Sequence, residues 1–393
     1  MNHKAVTVAA LGTTQTLAWA SSYYLPAILG APIAAALRLP ASVFFAIFSG
    51  SLLLGGAVGP WVGRVIDRRG GRAVLIASNV MLAAGLAVLG LAQGIVTLSL
   101  AWVILGLGMA CGLYDPAFAT LTRLYGRDAR SAITGITLIA GFASTLGWPL
   151  SAWLDGALGW RGACLVWAAI NLALALPLNW LLIPPAPPLP SPEQRPAEAP
   201  AAPPPRGAMP ILGFYFCATA FVTGAMAAHL PRLLEIAGAS EAAAIAAGAL
   251  VGPAQVAARL VEFGLLRAIH PVWSGRIAAF LHPLGAAVLG LLGPAGIAPF
   301  AVLHGAGNGM VTIARGTLPL AIFGPVDYGL RTGILAAPSR LALSAAPLLF
   351  GLLLDAVGAE AVVLSAGLSL AAFASLLLLR PRPAPAVPAA ADD

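Results

Sequence analysis

Six ionisable side chains stand inside long apolar stretches of this sequence, where a charge needs a partner or a task. They are Asp115, Arg259, Glu262, His304, Arg315 and Arg340. Each charge costs about 2.5–3.5 kcal/mol when it lies at the centre of a bilayer. A guanidinium group in such a place can bind an anion, whereas a carboxylate or an imidazole can exchange a proton.

Three polar residues share one face of a single apolar segment. Gln255, Arg259 and Glu262 are spaced i, i+4 and i+7, which places them on one side of a helix. This spacing favours a site in which Arg259 binds an anionic substrate beside Gln255. Two alternatives remain open: Arg259 forms a local ion pair with Glu262, or it extends its guanidinium group to the membrane surface.

The composition indicates which medium surrounds these residues. Only 9% of the 393 residues are charged, 60% are hydrophobic, and the mean hydropathy is +0.91. Soluble proteins carry about 25% charged residues, so this chain is expected to be solvated mainly by lipid. The three cysteines lie in apolar runs, and the sequence has no zinc, nucleotide-binding or hydrolase signature. We therefore expect no metal, no cofactor and no enzymatic activity.

Twelve segments, each about as long as a membrane-spanning helix, follow one another in two groups of six. Their predicted ranges are 6–30, 42–66, 73–92, 97–122, 131–154, 160–183, 210–233, 242–266, 273–293, 297–323, 331–354 and 359–379. The proline-rich stretch 184–209 predicts an extended aqueous linker. The sequence thus predicts an all-α membrane protein with helical bundles at 1–183 and 210–380 and a disordered tail at 381–393.

The basic residues are distributed unevenly among the predicted loops. If the N-terminus is cytoplasmic, 15 of the 21 Lys and Arg residues fall in cytoplasmic loops and tails, and only 3 fall in loops on the other side. This bias follows the positive-inside rule and predicts that both termini are cytoplasmic. It also accounts for the net charge of +7, so no nucleic-acid partner is expected.

The two groups of segments repeat one another. At an offset of 198 residues, Gly126 matches Gly324, the Thr-Gly-Ile run at 134–136 matches that at 332–334, and Pro149 matches Pro347. The fifth and eleventh segments are therefore expected to be equivalent, as in a duplicated six-helix unit.

The stretch GRVIDRRGGR at residues 63–72 joins the second and third segments and contains five charges. Its pattern, Gly63-x-x-x-Asp67-Arg68-x-Gly70-x-Arg72, closely resembles the loop signature of the major facilitator superfamily, in the expected place. The corresponding stretch of the second half, 263–276, keeps basic residues without the Gly-x-x-x-Asp core. The resemblance covers the whole chain. It implies two pseudo-symmetric six-helix bundles that move a solute by alternating access.

The residue types of this loop favour a conformational latch. Gly63 permits a close approach of a neighbouring helix, and Asp67 can accept backbone N–H groups at the N-terminus of another helix. Arg68 and Arg72 can pair with Asp67, and Gly70 permits a tight turn. The alternative is a positively charged topological anchor, which would need neither Asp67 nor the glycines.

The resemblance also bears on the buried arginines. In the superfamily the first, fourth, seventh and tenth helices line the path. Arg259 on the eighth segment and Arg340 on the eleventh are expected at similar depth, on the order of 12–15 Å from the cytoplasmic surface. Two guanidinium groups at one level repel each other unless an anion lies between them. This arrangement is similar to that of oxalate/formate antiporters and monocarboxylate transporters, although Gln255 replaces the Asp that the latter place four residues before their arginine.

The repeat brings Asp115 and Arg315 together on opposing path-lining helices, since Arg315 corresponds to position 117. We expect an ion pair that closes the cytoplasmic side of the path and breaks when that side opens. Asp115 and Glu262 are also candidates for proton coupling. The alternative is that Asp115 merely belongs to a helix kink beside Pro116.

Two further stripes supply polar groups for a small ligand. Gln15, Trp19 and Tyr23 share one face of the first segment, and His304 and Asn308 share one face of the tenth. We predict that all five line the substrate site with Arg259, Arg340 and Gln255. The alternatives are an interfacial aromatic belt for Tyr23 and a packing role for His304.

Three arginines against one Asp, one Glu and one His inside the membrane favour an anionic substrate. The predicted function is secondary transport of a small organic anion, such as a mono- or dicarboxylate, by proton coupling or anion exchange. The alternative is a proton-coupled efflux pump for drugs or metabolites, whose path would be expected to expose acids. We expect a monomer in the lipid bilayer, and the Arg- and Ala-rich composition favours a bacterial inner membrane.

Overall fold

The computed structural model describes residues 3–187 and 204–379, and these are almost entirely helical. The helices are α1 (His3–Ser21), α2 (Leu25–Ala36), α3 (Ala41–Arg69), α4 (Arg72–Gly90), α5 (Ile95–Gly112), α6 (Tyr114–Tyr125), α7 (Ala129–Ala140), α8 (Ala143–Ile170), α9 (Leu176–Leu182), α10 (Ala208–Ile236), α11 (Glu241–Gly264), α12 (Pro271–Leu292), α13 (Ile297–Phe323), α14 (Tyr328–Val357) and α15 (Ala361–Leu377). A π-helical turn, Asn171–Ala175, joins α8 to α9. The middle of the predicted linker, 188–203, and the predicted tail, 381–393, lie outside the described residues.

The apolar helices have the lengths that a membrane requires. Within the described residues, seven stretches are long and apolar enough to cross a membrane. Three of them, 95–182, 271–323 and 328–377, contain at least 50 residues, so each holds more than one crossing, since about 20 residues suffice. The predicted all-α membrane fold of two six-helix halves is confirmed.

Several segments predicted to be continuous are interrupted. The first is broken at Ser22–Tyr24 and then continues as α2 to Ala36. The fourth is broken at Leu113, whose backbone is extended, and the fifth is broken between α7 and α8. Interrupted helices within a membrane are tolerated where they are buried in protein or line a cavity. The breaks therefore mark the interior of the molecule as the place for polar groups.

The duplication read from the sequence is repeated in the backbone. Residues with positive φ end or interrupt helices at equivalent places of the two halves, 198 to 200 residues apart. The pairs are Arg38 (φ 55°) with Gly238 (99°), Gly126 (56°) with Gly324 (74°), and Gly159 (70°) with Gly358 (63°). The fifth and eleventh predicted segments are thus equivalent in structure, and α7 begins where α14 begins.

Each half has its own apolar core. Trp102, Trp167 and Leu86 are buried in the N-terminal half, and Phe300 and Phe350 are buried in the C-terminal half. Large apolar side chains such as those of Trp153 and Leu291 are exposed on the outer surface. Exposed apolar side chains on the outside of a helical bundle are expected where lipid is the solvent.

The two halves meet mainly through α3 against α14, with further contacts of α6 and α7 on α11, α13 and α14. Gly55, Gly59 and Gly63 recur every fourth residue on α3 and face the stretch of α14 from Arg340 back to Gly329. Such small residues let two membrane helices approach closely. The contact runs from the middle of α3 to the loop at 63–72. We call this end of the molecule the loop end.

The closest approach predicts the effect of one methyl group. A Cβ at Gly63 would overlap the carbonyl oxygen of Gly329, so Gly63→Ala must push α3 and α14 apart. Overpacking of this kind costs about 1–3 kcal/mol, which shifts the population of the closed loop end by about 5- to 150-fold. Gly50→Ala on the same helix is the matched control, because nothing lies within 4 Å of its Cβ position.

The opening of the loop end can be measured with two spin labels, one at Arg127 and one at Val326, which lie on different halves. The measured quantity is the distribution of distances between the two labels. We expect longer distances in Gly63→Ala and an unchanged distribution in Gly50→Ala. Identical distributions in both variants would contradict the role of Gly63 in closing the loop end.

Candidate functional site

One carboxylate joins the two halves at the centre of the molecule. Asp115 lies in the first turn of α6, directly after the break at Leu113. Its Oδ1 is 3.2 Å from Nε of Arg315 on α13, and its Oδ2 is 3.0 Å from Nη2 of Arg340 on α14. The pair with Arg315 is the one that the repeat predicted, whereas the pair with Arg340 is new. Small cavities on two sides of Asp115 leave space for water.

Arg340 has a counter-charge that the sequence did not predict, because it pairs with Asp115; the anion predicted between Arg340 and Arg259 stays a prediction. Its guanidinium group lies against Gly55 and Gly56 of α3, and its charged neighbours are Asp115 and Arg315. The physical reason is the missing side chains of the two glycines, which let Arg340 reach across to the opposite half. Arg340 therefore neutralises Asp115 in this conformation.

Arg259 is a buried cation of the central region without an acidic partner among the described residues. It is only 5% exposed, and among the described residues no carboxylate lies within 4.0 Å of its guanidinium group. It donates to the Thr137 carbonyl at 3.5 Å, to Gln255 Oε1 at 3.4 Å and to Thr312 Oγ1 at 3.5 Å, and its Nε has no partner. These distances exceed the usual 2.9–3.0 Å by about half an ångström, so the contacts are weak.

A glycine makes room for this guanidinium group at the boundary between the halves. A Cβ at Gly141, in the break between α7 and α8, would overlap Nη1 of Arg259. Arginine stays protonated in proteins, so the site keeps its positive charge. Asp115, Arg259, Arg315 and Arg340, with the side chains that contact them, form what we call the central site.

Glu262 does not pair with Arg259, although the two lie on one face of α11. Its Oε1 is 3.7 Å from Nη2 of Arg130 at the start of α7, and its side chain is almost completely buried. Arg130 also donates to the carbonyls of Ile269 at 2.7 Å and Leu266 at 3.3 Å. Glu262 lies at the end of α11 beside the other half, so it meets the cation there rather than the one on its own helix.

Asp67 binds the opposite half as well. Its Oδ1 accepts the N–H of Gly329 and its Oδ2 accepts the N–H of Leu330, both at 2.8 Å, in the first turn of α14. A carboxylate at a helix N-terminus satisfies free N–H groups and interacts favourably with the helix dipole. The structure therefore provides the helix-terminus contact that the loop sequence indicates.

The two arginines of the loop signature, Arg68 and Arg72, do not form the predicted pairs with Asp67. Arg68 is exposed, and Arg72 donates to the carbonyl of Trp180. Neither forms an ion pair with the carboxylate of Asp67, which accepts the two amide N–H groups of α14. Gly70 ends α3 with a φ of 83°, as the predicted turn requires.

The Asp67 and Glu262 contacts are related by the duplication. At an offset of 195 residues, the run Arg64-Val-Ile-Asp67 matches Arg259-Leu-Val-Glu262. Asp67 contacts the start of α14, and Glu262 contacts the start of the equivalent helix α7. The second half lacks the Gly-x-x-x-Asp pattern, so that pattern does not predict the contact of Glu262. The spacing Arg-x-x-acid, which both halves share, would have predicted it. Arg130, as the partner of Glu262, was also missed.

The first helix brings aromatic and amide groups to the N-terminal side of the central site. Gln15 Nε2 donates to the carbonyl of Gly112, at the break before Asp115, at 2.5 Å, and its Oε1 is buried without a partner. The Trp19 ring centroid lies 5.2 Å from that of Tyr23 and 5.0 Å from that of Tyr114. Gln15, Trp19 and Tyr23 are thus close together as predicted. Tyr114 was missed because helix breaks are not visible in the hydrophobic pattern.

The predicted residues of the tenth segment contact other helices of their own half. His304 Nδ1 lies 3.0 Å from Nδ1 of His282 on α12, whose Nε2 lies 2.9 Å from Ser365 Oγ on α15. Asn308 Oδ1 accepts a hydrogen bond from Thr223 Oγ1 on α10 at 2.9 Å. No contact joins His304 to Arg259 among the described residues. These contacts favour the alternative for His304, in which it packs within its own half, over a position beside the substrate.

Comparisons with known proteins agree with this architecture. The sequence profile described as Major Facilitator Superfamily matches residues 11–302. The human organic anion transporter MFSD10 (TETRAN) has a similar fold, with a TM-score of 0.71 and 19% identity over 95% of this chain and 99% of that chain.

Two sugar transporters are also similar in fold. The fucose:proton symporter FucP of E. coli has a TM-score of 0.73 and 14% identity over 96% of this chain and 99% of that chain. The proton:xylose symporter XylE has a TM-score of 0.73 and 15% identity over 95% of each chain. A search of curated proteins finds no significant match. At these identities the likenesses establish the fold and not the substrate.

Proposed function

Because this chain belongs to the major facilitator superfamily, and is therefore a membrane transporter and not an enzyme, we propose that it carries a small organic anion by alternating access. The observation that supports an anion is the unpaired, buried guanidinium group of Arg259. A buried charge without a counter-charge is strongly unfavourable. A bound carboxylate would supply the missing counter-charge.

The balance of charge at the central site points the same way. Asp115 supplies one negative charge against the positive charges of Arg259, Arg315 and Arg340, which leaves a net charge of +2. The other buried acid on this side, Glu262, is paired with Arg130. A proton-coupled efflux pump for cations would need an acid that is free to face its substrate. Among the described residues, both acids inside the helices near Arg259 already have cationic partners.

The contacts between the halves support a state that is closed at the loop end. Asp67 with α14, Glu262 with Arg130, and Asp115 with Arg315 and Arg340 all join the halves between the centre and the loop end. If the positive-inside rule holds, the loop end faces the cytoplasm, and the substrate enters from the opposite side. Transport would then require these contacts to break as the bundles 1–183 and 210–380 rock about the central site.

The coupling partner is either a proton or a second anion, and Asp115 would serve in both cases. If Asp115 takes up a proton, it releases Arg315 and Arg340. If it stays charged, a substrate carboxylate competes with it for the same arginines. The bacterial inner membrane, the cytoplasmic termini and the monomeric state remain part of the proposal. The organic anion transporter MFSD10 shows that this fold can carry anions, although its identity of 19% says nothing about the site here.

Counterflow in proteoliposomes tests the proposal. Purified protein is reconstituted with one unlabelled compound inside and the same labelled compound outside, over panels of monocarboxylates, dicarboxylates and organic cations. We expect exchange of carboxylates and none of cations. Exchange or proton-driven export of organic cations, without carboxylate exchange, would replace this proposal with the efflux pump.

A further inference from the structure

We infer that the substrate is an aromatic monocarboxylate with a hydroxyl group on its ring; this inference rests on the proposed anion transport. A continuous series of six rings, joined by five contacts, lies on the N-terminal side of the central site, and we call it the aromatic row. Its members, in order of contact, are Trp148, Tyr24, Tyr23, Trp19, Tyr114 and Phe118. Neighbouring ring centroids in the row are 5.0 to 6.1 Å apart.

The row and the arginines face one another from opposite halves. Arg259 on α11 lies against Gly141, in the break just before α8, the helix that carries Trp148. Tyr114 directly precedes Asp115, whose carboxylate pairs with Arg315 and Arg340 of the other half. The row comes from α1, from the break after it, and from α6 and α8. A ligand that binds Arg259 through its carboxylate therefore has an aromatic surface beside the rest of its body.

Ring surfaces of this kind favour an aromatic ligand over an aliphatic one. Aromatic pairs gain about 0.5–1.5 kcal/mol beyond the burial of their area when their centroids lie about 4.5–7 Å apart. The rings of the row already adopt edge-to-face and tilted arrangements at such distances. A further ring can therefore continue the series, whereas acetate or lactate would leave it uncovered.

Two polar atoms beside the row lack partners. Trp19 Nε1, a donor, and Gln15 Oε1, an acceptor, are buried without a hydrogen bond, and Gln15 is 1% exposed. Residues 15 and 19 are four apart on α1, so their side chains are neighbours on the same face. Leaving a buried donor or acceptor unsatisfied is unfavourable by about 1–3 kcal/mol. A hydroxyl group is the smallest substituent that can donate to Gln15 and accept from Trp19 together.

The charge pattern favours one carboxylate over two. A dicarboxylate needs a second cation at the far end of the ligand, and Arg340 and Arg315 are held by Asp115 in this conformation. The groups opposite Arg259 are rings and neutral polar atoms. One negative end and one apolar end with a hydroxyl group fit this arrangement.

A competition experiment in proteoliposomes tests the inference. Counterflow of labelled 4-hydroxybenzoate is measured against unlabelled 4-hydroxybenzoate, benzoate, cyclohexanecarboxylate, acetate and succinate at a pH where all are ionised. We expect hydroxybenzoate to compete at concentrations about tenfold below those of cyclohexanecarboxylate, from one or two ring contacts. Benzoate should fall between the two, and acetate and succinate should be weaker.

Three variants assign the preference to residues. Trp19→Leu is expected to weaken aromatic competitors about tenfold while leaving acetate unchanged, and Gln15→Leu is expected to remove the advantage of hydroxybenzoate over benzoate. Trp153→Leu is the matched control, because that ring is 67% exposed on the outer surface. Equal weakening of all anions in Trp19→Leu would overturn the inference, because the ring would then only stabilise the site.

The outcomes separate this inference from the proposed function. If acetate, lactate or succinate exchanges better than the aromatic acids, the inference is wrong and anion transport stands. If folded wild-type protein exchanges no carboxylate of any class, the proposed function itself is wrong.

Discussion

Replacing Arg259 with Gln is expected to lower carboxylate exchange at least about 100-fold without lowering the thermal stability of the protein. The loss follows from the removal of the buried cation of the central site that has no acidic partner within 4.0 Å among the described residues. Charged hydrogen bonds and close charge pairs in buried sites contribute about 3 kcal/mol or more when one partner is removed, which corresponds to a factor of about 100.

The melting temperature of Arg259→Gln is not expected to fall with its exchange activity. In the unloaded protein Arg259 makes only long hydrogen bonds, and its Nε has none. Gln at this position removes an uncompensated buried charge, so the melting temperature should stay unchanged or rise. A residue that merely stabilises the fold would lower both activity and melting temperature when it is replaced.

The matched control is Arg232→Gln. Arg232 pairs with Asp355 on the surface, and its side chain is 51% exposed. Such a pair contributes about 0–1 kcal/mol, so exchange should be close to wild type. The measurements are counterflow in proteoliposomes and thermal unfolding in detergent with and without carboxylate. Normal exchange by Arg259→Gln would exclude Arg259 as the anion-binding group.

Replacing Asp115 with Asn is expected to tighten anion binding and to slow exchange, each by at least about tenfold. The substitution changes the net charge of the central site from +2 to +3. An additional unit of charge at about 8 Å contributes about 2 kcal/mol at an effective dielectric constant of 20, which favours a bound anion. The substrate also loses its competitor for Arg315 and Arg340.

Exchange slows because the same carboxylate joins the two halves. Asp115→Asn removes both ion pairs that hold α6 to α13 and α14. The closed loop end loses stability, and Arg315 and Arg340 are left as partly buried cations without a counter-charge, which retain the anion. Transport requires both release of the anion and closure of the loop end, so the cycle slows although binding improves.

A second substitution tests this explanation of Asp115. Arg340→Gln in the Asp115→Asn background removes one of the two orphaned cations, and we expect it to recover part of the lost exchange rate. Binding is measured by the concentration of carboxylate that raises the melting temperature, and exchange is measured by counterflow. Weaker binding in Asp115→Asn, without recovery in the double variant, would contradict the competition between Asp115 and the substrate.

Most of the architecture could be predicted from local features of the chain. Apolar runs of about 20 residues predicted the crossings, and the repeat at 198 residues predicted that Asp115 and Arg315 approach each other. The loop signature predicted a carboxylate at a helix terminus, and Asp67 lies at the start of α14. Such features are legible because hydropathy, helical period and motif spacing depend on neighbours in the chain.

The helix breaks could not be predicted in the same way. Leu113 and the junction of α7 with α8 lie within apolar runs that are equally suited to continuous helices. Yet the break at Leu113 places Tyr114 beside Trp19, and the break at Gly141 admits Arg259. The aromatic row and the unpaired guanidinium group both depend on these interruptions.

The sequence was sufficient to identify a twelve-helix membrane protein with duplicated halves, a charged loop between the second and third segments, and three arginines inside apolar segments. The partner of each charge was settled by the tertiary structure. Asp115 binds Arg340 as well as Arg315, and Glu262 binds Arg130, so Arg259 has no acid of its own among the described residues. The reason is that pairing between helices depends on side-chain direction and on the closeness that glycines allow. Asp115 and Arg340, for example, are 225 positions apart in the chain.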